Sequence, residues 1–230
     1  MKKFELSKDM LKEDCLIKFN GIKFLKGFIY VIFGDSGTGK TAFVVSMSKE
    51  VLKKEYACII ISTELKEQDR DRFARLMDRF KNLKIYYIEK FSDFEEFVKN
   101  NLEKIIKKLN AKLVVIDSFS RPFQNYAEEK SSFVSGKEKA KKVKDLMNVI
   151  RMIAHDTGCT FVLTTHCYRK YFFTKTTVVP VGGSGLLYLS DQKFWIRFAK
   201  NPVHRIIRKY IDDTEVLVKI NSFGEIEFEP

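Results

Sequence analysis

The segment Gly34–Thr41 most constrains what this chain can fold into, because its sequence GDSGTGKT fits a phosphate-binding loop (Walker A) at every defined position. The apolar run Phe28–Phe33 precedes it and the helix-forming run Thr41–Lys54 follows, as such a loop requires. Glycines let backbone N–H groups wrap phosphates, Lys40 can reach the β and γ oxygens, and Thr41 can bind Mg²⁺. The sequence therefore predicts a site for ATP and Mg²⁺ formed by Gly34, Asp35, Ser36, Gly37, Thr38, Gly39, Lys40 and Thr41.

A second apolar run, Leu113–Ile116, ends in Asp117. A buried carboxylate is costly unless it meets a cation, so this strand would bring Asp117 to the Mg²⁺, directly or through water. The next residue is Ser118, where many helicase-type ATPases have a glutamate base. Glu64 is our candidate catalytic base, because it follows the predicted strand Ala57–Ser62 at the sheet edge where nucleotides bind. The alternative is an acid that favours the first turn of the next helix.

A third strand, Thr160–Thr164, is followed by Thr165 and His166 at the same predicted edge. A donor in that position can sense the γ-phosphate, and an imidazole can donate a hydrogen bond. We therefore include His166 with Lys40 and Glu64 among the candidate catalytic residues. A purely structural histidine is the alternative for His166.

Strand-like apolar runs alternate with amphipathic helical segments, the pattern of a mainly parallel sheet flanked by helices. We predict parallel strands at 28–33, 57–62, 84–88, 113–116 and 160–164, then short antiparallel strands at 194–198, 205–211, 216–220 and 225–228. The segment Val178–Gly185 is predicted to be a loop. The expectation is one α/β core domain over residues 27–230 with an antiparallel extension at its C-terminal end, after a short lead-in of residues 1–26.

The chain has a formal net charge of +12, and its excess is concentrated in one segment. Between Lys137 and Tyr210 there are 15 Lys or Arg residues against four acidic ones. Such a balance suggests an anionic partner. The lysines on the polar face of a predicted helix near residues 137–156 also fit a plain solvated face. No signal peptide or membrane span is recognisable and the four cysteines are widely separated, so we expect a cytoplasmic protein with reduced thiols.

These segments together resemble the RecA superfamily of P-loop ATPases, and more narrowly its archaeal RadB and RadA-paralogue branch. The resemblance runs from Gly27 to Ile226. Ile59–Glu64 is similar to the strand that ends in the family's catalytic glutamate, and Val114–Ser118 is similar to its Walker B strand. The resemblance implies a RecA-like core, DNA repair and recombination as the setting, and a full-length recombinase or other repair proteins as partners. It also places His166 near the γ-phosphate.

The same resemblance implies two DNA-facing loops, 119–136 and 168–184. Their cations suit phosphates and their aromatic rings can stack bases, so we expect binding to single-stranded DNA with little sequence preference. The side chains concerned are Arg121, Phe123, Tyr126, Lys130, Arg169, Lys170, Tyr171, Phe172 and Lys175. Plain surface loops are the alternative interpretation.

One departure from the family pattern concerns hydrolysis. Thr165-His166 stands where the family usually has an Asn-Gln sensor pair, so weak ATP hydrolysis is expected. A KaiC-like regulatory ATPase that acts through protein partners rather than DNA is the main alternative function. A small-molecule kinase fits the sequence less well. Such enzymes usually bring an arginine-bearing lid over the phosphates, whereas this chain has an extra strand that ends at Thr165-His166.

Overall fold

The computed structural model describes residues 15–19, 21–64, 67–129, 134–172, 175–210, 214–221 and 224–228. They form a nine-stranded sheet in the order β13-β12-β11-β10-β3-β7-β6-β4-β5, together with two separate hairpins, β1-β2 and β8-β9. The strands are β1 (Cys15–Phe19), β2 (Ile22–Leu25), β3 (Ile29–Phe33), β4 (Ala57–Ser62), β5 (Leu83–Tyr87), β6 (Ala111–Asp117), β7 (Thr160–Thr165), β8 (Cys167–Phe172), β9 (Lys175–Pro180), β10 (Gln192–Phe198), β11 (His204–Lys209), β12 (Glu215–Ile220) and β13 (Ile226–Phe228).

The helices alternate with the strands of the parallel half, as crossover connections require. They are α1 (Lys40–Lys53), α2 (Glu67–Arg79), α3 (Phe91–Glu96), α4 (Leu102–Leu109), α5 (Arg121–Glu129), α6 (Gly136–Thr157) and α7 (Gly183–Leu189), with a π-helical turn, Phe97–Asn101, between α3 and α4. The longest helix, α6, begins with the Ser135 hydroxyl accepting from the Glu138 backbone N–H and ends at Gly158 in the left-handed conformation. No helix in the described part of the chain is long and apolar enough to cross a membrane.

Strands β10, β3, β7, β6, β4 and β5 pair in parallel, whereas β10 to β13 pair antiparallel. Every residue of β3 and β7 is buried, because helices cover both faces of the sheet there. One apolar cluster includes Phe94, Leu146 and Leu186 from α3, α6 and α7, and the other includes Phe43 from α1 and Phe73 from α2. The predicted fold class, a mainly parallel sheet with an antiparallel C-terminal extension, is confirmed.

The hairpin β1-β2 belongs to the core, although the sequence analysis assigned residues 1–26 to a lead-in before the domain. Leu16, Ile17 and Phe24 are at most 2% exposed. The Phe24 ring lies 4.6 Å from the ring of Tyr30 in β3, and the Tyr30 hydroxyl accepts from the Leu25 backbone N–H at 2.7 Å. Residues 15–25 therefore pack with the core, because this hairpin covers one end of the apolar cluster. The domain boundary at residue 27 stays a prediction. Residues 1–14 lie outside the described part.

Two segments predicted as loops have regular structure. Most of the segment 119–136 that is described forms α5, and the segment 168–184 forms the hairpin β8-β9 and the start of α7. The hairpin begins directly after β7, and the Val181 N–H donates to the His166 carbonyl at 2.8 Å to close its base. The loop prediction for Val178–Gly185 was wrong over most of its length: β9 continues to Pro180, and Gly182 with a φ of 126° turns the chain into α7.

Candidate functional site

The loop between β3 and α1 passes very close to neighbouring backbone, which explains two of its glycines. A Cβ atom on Gly34 would lie 2.3 Å from the Ile196 carbonyl oxygen of β10. Gly39 has a φ of 93°, and a Cβ atom there would lie 2.5 Å from Cδ1 of Ile220 in β12. The antiparallel strands thus pack directly behind the predicted phosphate-binding loop and fix its path.

Lys40 lies at the N-terminus of α1 and is 8% exposed. Its Nζ donates to the carbonyl oxygens of Gly34 and Asp35 at 3.0 and 2.9 Å. The ammonium group is therefore held inside the curve of the loop, beside the backbone N–H groups at the start of the helix. Loop amides, helix N-terminus and lysine together form an arrangement suited to a polyphosphate.

Thr41 and Asp117 meet at the carboxyl ends of β3 and β6. The Thr41 hydroxyl donates to Oδ2 of Asp117 at 2.7 Å, and the Thr164 hydroxyl donates to Oδ1 of the same carboxylate. Mg²⁺ prefers oxygen ligands, and a hydroxyl and a carboxylate beside a phosphate-binding loop supply them. The residues present therefore fit the predicted ion. Thr164 was not predicted as a site residue; its signal in the sequence is a polar residue near the carboxyl end of the neighbouring parallel strand.

A hydroxyl network joins the segments that follow β4, β6 and β7. The Thr63 hydroxyl donates to the Ser118 carbonyl at 2.6 Å and accepts from the Ser118 N–H at 3.0 Å. The Ser118 and Ser120 hydroxyls lie 3.0 Å apart, and the His166 N–H donates to the Ser120 hydroxyl at 3.4 Å. This network fixes the residue before Glu64, the residue after Asp117 and the backbone N–H of His166.

One cavity of about 230 Å³ brings most of the predicted site residues together, whereas Gly34, Asp35 and Thr38 do not line it. Lys40, Thr41, Glu64, Asp117 and His166 all line it. The remaining lining residues are Ser36, Gly37, Gly39, Ala42, Asp69, Arg72, Ser118, Arg205 and Ile220. The structure thus assembles the three candidate catalytic side chains, Lys40, Glu64 and His166, with the predicted phosphate and metal groups. Their individual roles stay predictions.

Arg205 of β11 is a site residue that the sequence analysis missed. Its Nε donates to the Thr38 carbonyl of the loop at 3.0 Å, and its guanidinium carbon lies 4.4 Å from the centre of the Phe198 ring. Burial lowers the pKa of this guanidinium. Arg205 is 167 residues from Thr38 in the chain, so no local pattern could show that the two meet.

Asp35 faces away from the cavity lining and toward the hairpin β8-β9. Its carboxylate accepts from Arg169 Nη2 at 3.2 Å and from the Cys167 thiol at 3.4 Å. Burial and the neighbouring Asp35 carboxylate raise the pKa of Cys167 to about 11. The base of the hairpin is therefore attached to the first turn of the phosphate-binding loop.

The exposed start of the hairpin carries part of the predicted DNA-binding set. Tyr168, Arg169 and Lys170 are exposed, and Lys170 Nζ lies 5.8 Å from the centre of the Tyr168 ring. The side chains of Tyr171, Phe172 and Lys175 lie outside what the structure describes. The hairpin thus presents cations and an aromatic ring within one β8 segment.

The first predicted DNA loop is different, because its aromatic rings are buried. Phe123 and Tyr126 are 6% and 5% exposed and pack in the core against Phe91, with ring centres 5.1 and 4.6 Å away. The prediction that these two rings stack bases is therefore wrong: they anchor α5 to α3. Arg121 is half-buried beside Gln124, and Lys130 lies outside the described residues.

Comparison with known proteins agrees with this geometry. Residues 20–170 match the AAA_25 family, described as an AAA domain. Over 186 residues, 80% of each chain, the sequence is 24% identical to the DNA repair and recombination protein RadB of Methanococcoides burtonii. The fold is similar to the crystal structure of the RadB recombinase, with a TM-score of 0.67, 17% identity and coverage of 90% of this chain and 93% of that one.

A second solved structure has nearly the same similarity. It is the KaiC-like protein PH0186 from Pyrococcus horikoshii OT3, with a TM-score of 0.63, 16% identity and coverage of 90% of this chain and 91% of the other. The predicted resemblance to RadB-like ATPases of the RecA superfamily is confirmed by these matches taken together.

Proposed function

This chain belongs to the AAA domain family, and we propose that it is an ATP-binding accessory protein of DNA repair and homologous recombination. It binds single-stranded DNA with little sequence preference and hydrolyses ATP weakly. The main observation behind the proposal is that the basic hairpin β8-β9 is attached to the loop that lines the candidate nucleotide site. Arg169 of the hairpin contacts Asp35, and the carbonyl of Asp35 accepts a hydrogen bond from Lys40. Similarity to RadB in sequence and fold supports the recombination setting.

The cavity supports binding of ATP with Mg²⁺. The loop amides and Lys40 would hold the phosphates, while Thr41 and Asp117 would hold the ion, which when bound neutralises charge on the phosphates. Glu64 would act as general base on the attacking water. His166 would donate a hydrogen bond toward the γ-phosphate.

Weak hydrolysis follows from the chemistry beside the γ-phosphate position. In place of the Asn-Gln pair usual in the RecA superfamily, Thr165 and His166 end β7. The Thr165 hydroxyl donates to the Val181 carbonyl at 2.7 Å, so it faces the base of the hairpin. That leaves His166 as the polar side chain of this pair that lines the cavity. A single imidazole gives fewer hydrogen bonds to the γ-phosphate than an amide pair.

The DNA proposal rests on the exposed cations and tyrosine of β8. Arg169 and Lys170 can neutralise phosphates, and Tyr168 can stack on a base of any identity. Binding should therefore be strongly dependent on salt and nearly independent of sequence.

The decisive experiment combines a salt titration of single-stranded DNA binding with ATPase assays in the presence and absence of that DNA. Arg169→Ala with Lys170→Ala should lower the slope of log affinity against log salt by about 1.4 to 2, because two phosphate contacts are lost. The matched control is Lys107→Ala with Lys108→Ala, two exposed lysines of α4, which should leave the slope unchanged. Wild-type affinity that does not respond to salt would contradict the DNA proposal.

A regulatory ATPase that acts through protein partners is the second candidate, supported by the similarity to the KaiC-like protein PH0186. The two candidates differ in the same experiment. Salt-dependent DNA binding that changes ATP turnover supports the recombination proposal. ATP turnover with no measurable DNA binding supports the regulatory one.

A further inference from the structure

The outer face of α6 carries a stripe of positive charge. Lys137, Lys141, Lys144 and Arg151 are exposed and spaced so that they lie on one side of the helix. The acidic residues of α6, Glu138, Asp145 and Asp156, lie about a quarter-turn further round it. In the part of the chain that the structure describes, neither Lys141 nor Lys144 forms an ion pair.

Beside this stripe, α7 presents Tyr188, which is 85% exposed, the largest exposed fraction of any aromatic side chain among the described residues. Its helix is otherwise anchored: Leu186 is fully buried, and the Ser190 hydroxyl donates to the Leu186 carbonyl at 2.8 Å. A large ring held in water by a rigid helix gains no burial in this fold. Such a ring is suited to contact with a partner.

Two contacts fix α7 against the stripe. Gly185 lies so close to α6 that an added Cβ would be 3.2 Å from Cα of Lys144. At the other end of α7, Arg151 Nη1 donates to the Leu189 carbonyl at 3.0 Å and to the Asp191 carboxylate at 3.1 Å. Tyr188 lies between these contact points in the chain. The helix that carries the ring thus packs on the helix that carries the cations. We call the exposed residues of the two helices the α6–α7 face: Lys137, Lys141, Lys144, Arg151 and Tyr188.

We propose that the α6–α7 face is a further binding surface for single-stranded nucleic acid, in which Tyr188 stacks on a base while Lys141 and Lys144 contact the flanking phosphates. The proposal rests on the DNA-binding function proposed above and extends it beyond the hairpin. The chain passes from β9 through Gly182 directly into α7, so a strand bound to the hairpin can continue onto this face.

The exposed aromatic ring favours nucleic acid over an acidic protein surface. Lysines alone fit either partner, because both carry negative charge. A ring that projects into solvent beside cations is the arrangement that single-stranded nucleic acid uses, since every base offers a face to stack on. A docked protein would instead be expected to meet a larger apolar patch around the ring, and the neighbouring exposed residues of α6 are mostly charged or polar.

The test compares three tyrosine variants in a titration with a fluorescein-labelled oligothymidine. Tyr188→Ala should weaken binding about 5- to 100-fold, because one stacked base is lost, whereas Tyr188→Phe should bind like the wild type. Tyr87→Ala is the matched control, since Tyr87 is 51% exposed beside Glu89 and should bind normally. Lys144→Gln should lower the salt slope by about 0.7 to 1.

A second measurement locates the contact directly. Photo-crosslinking with an oligonucleotide that contains 5-iododeoxyuridine should label the peptide carrying Tyr188 in the wild type and not in Tyr188→Ala. Normal affinity of Tyr188→Ala together with weakened binding by the Arg169→Ala, Lys170→Ala variant would overturn this inference and leave the proposed function intact. Wild-type protein that binds no oligonucleotide would overturn both. Binding of an acidic protein that Tyr188→Ala abolishes, with DNA binding unchanged, would also overturn the inference.

Discussion

At the scale of single residues, two acids line the cavity beyond β4, and their surroundings distinguish them. Asp69 is 7% exposed and accepts from Arg72 Nη1 at 2.9 Å, so its carboxylate is already engaged in an ion pair. Glu64 follows Thr63, whose hydroxyl is fixed by two hydrogen bonds to the Ser118 backbone. Glu64 therefore remains our choice for the general base.

We expect Lys40→Ala to weaken ATP binding by roughly 10- to 100-fold, because a buried charge-assisted contact to phosphate is removed.

Glu64→Gln should retain ATP binding and lose turnover by about 100-fold or more, since the amide cannot accept the proton of the attacking water. Isothermal titration and a phosphate-release assay measure the two effects. Glu67→Gln, at an exposed position in the first turn of α2, is the matched control. Normal turnover by Glu64→Gln would show that another group is the base.

At the scale of elements, Glu95 joins the helices of one face of the sheet. Both of its carboxylate oxygens accept from Lys142 of α6 at 2.9 Å, and one accepts from Lys99 at 2.6 Å. The Lys142 ammonium also lies 5.7 Å from the centre of the Phe91 ring. Partial burial disfavours the charged carboxylate, but the hydrogen bonds from Lys99 and Lys142 outweigh it and lower the pKa of Glu95. This contact links α3 to α6.

Glu95→Gln should therefore lower the free energy of unfolding at pH 7 by roughly 1 kcal/mol. Because the folded-state pKa of Glu95 is depressed, its stabilisation is complete above the ordinary value of 4.5 and is lost as the pH falls through the folded-state pKa. Urea unfolding should show that the difference in the free energy of unfolding between the wild type and Glu95→Gln is smaller near pH 3 than at pH 7. Glu103→Gln, whose partner Lys107 is exposed, should change stability by at most about 0.5 kcal/mol. A pH-independent loss for Glu95→Gln would contradict this account.

At the scale of the whole molecule, the sheet separates two apolar cores, one under α3 to α7 and one under α1, α2 and the β1-β2 hairpin. Cys58 and Cys159 are fully buried within them, whereas Cys15 and Cys167 are half-buried. Burial raises the pKa of Cys58 to about 12, with the Ser48 hydroxyl acting against it, and burial also raises the pKa of Cys159. The four thiols therefore differ in how accessible they are to solvent.

In native protein at pH 8, Cys15 should react first with a thiol reagent and Cys167 more slowly, because burial and the neighbouring Asp35 carboxylate disfavour the Cys167 thiolate. Cys58 and Cys159 should react no faster than the molecule unfolds. The variant Cys15→Ser with Cys167→Ser isolates the buried pair, which should be protected in buffer and fully reactive in urea. Rapid modification of that variant in buffer would mean that one core opens locally.

Local sequence patterns were enough to predict the parallel sheet and the centre of the candidate site. Alternating apolar strands and amphipathic helices depend on local periodicity, and polar residues after parallel strands meet at one edge, so Lys40, Thr41, Glu64, Asp117 and His166 were predicted to converge. The strand β4 was predicted with its observed bounds, Ala57–Ser62.

Features that depend on contacts between distant segments could not be predicted from local patterns. Arg205 reaches Thr38 from the antiparallel strands, and Phe123 and Tyr126 turn into the core because α3 offers an apolar partner there. Tyr188 is exposed on α7, which packs on α6 through Gly185. Periodicity specifies which face of an element is apolar, whereas the neighbour that covers that face, or leaves it open, is set by how the whole chain packs.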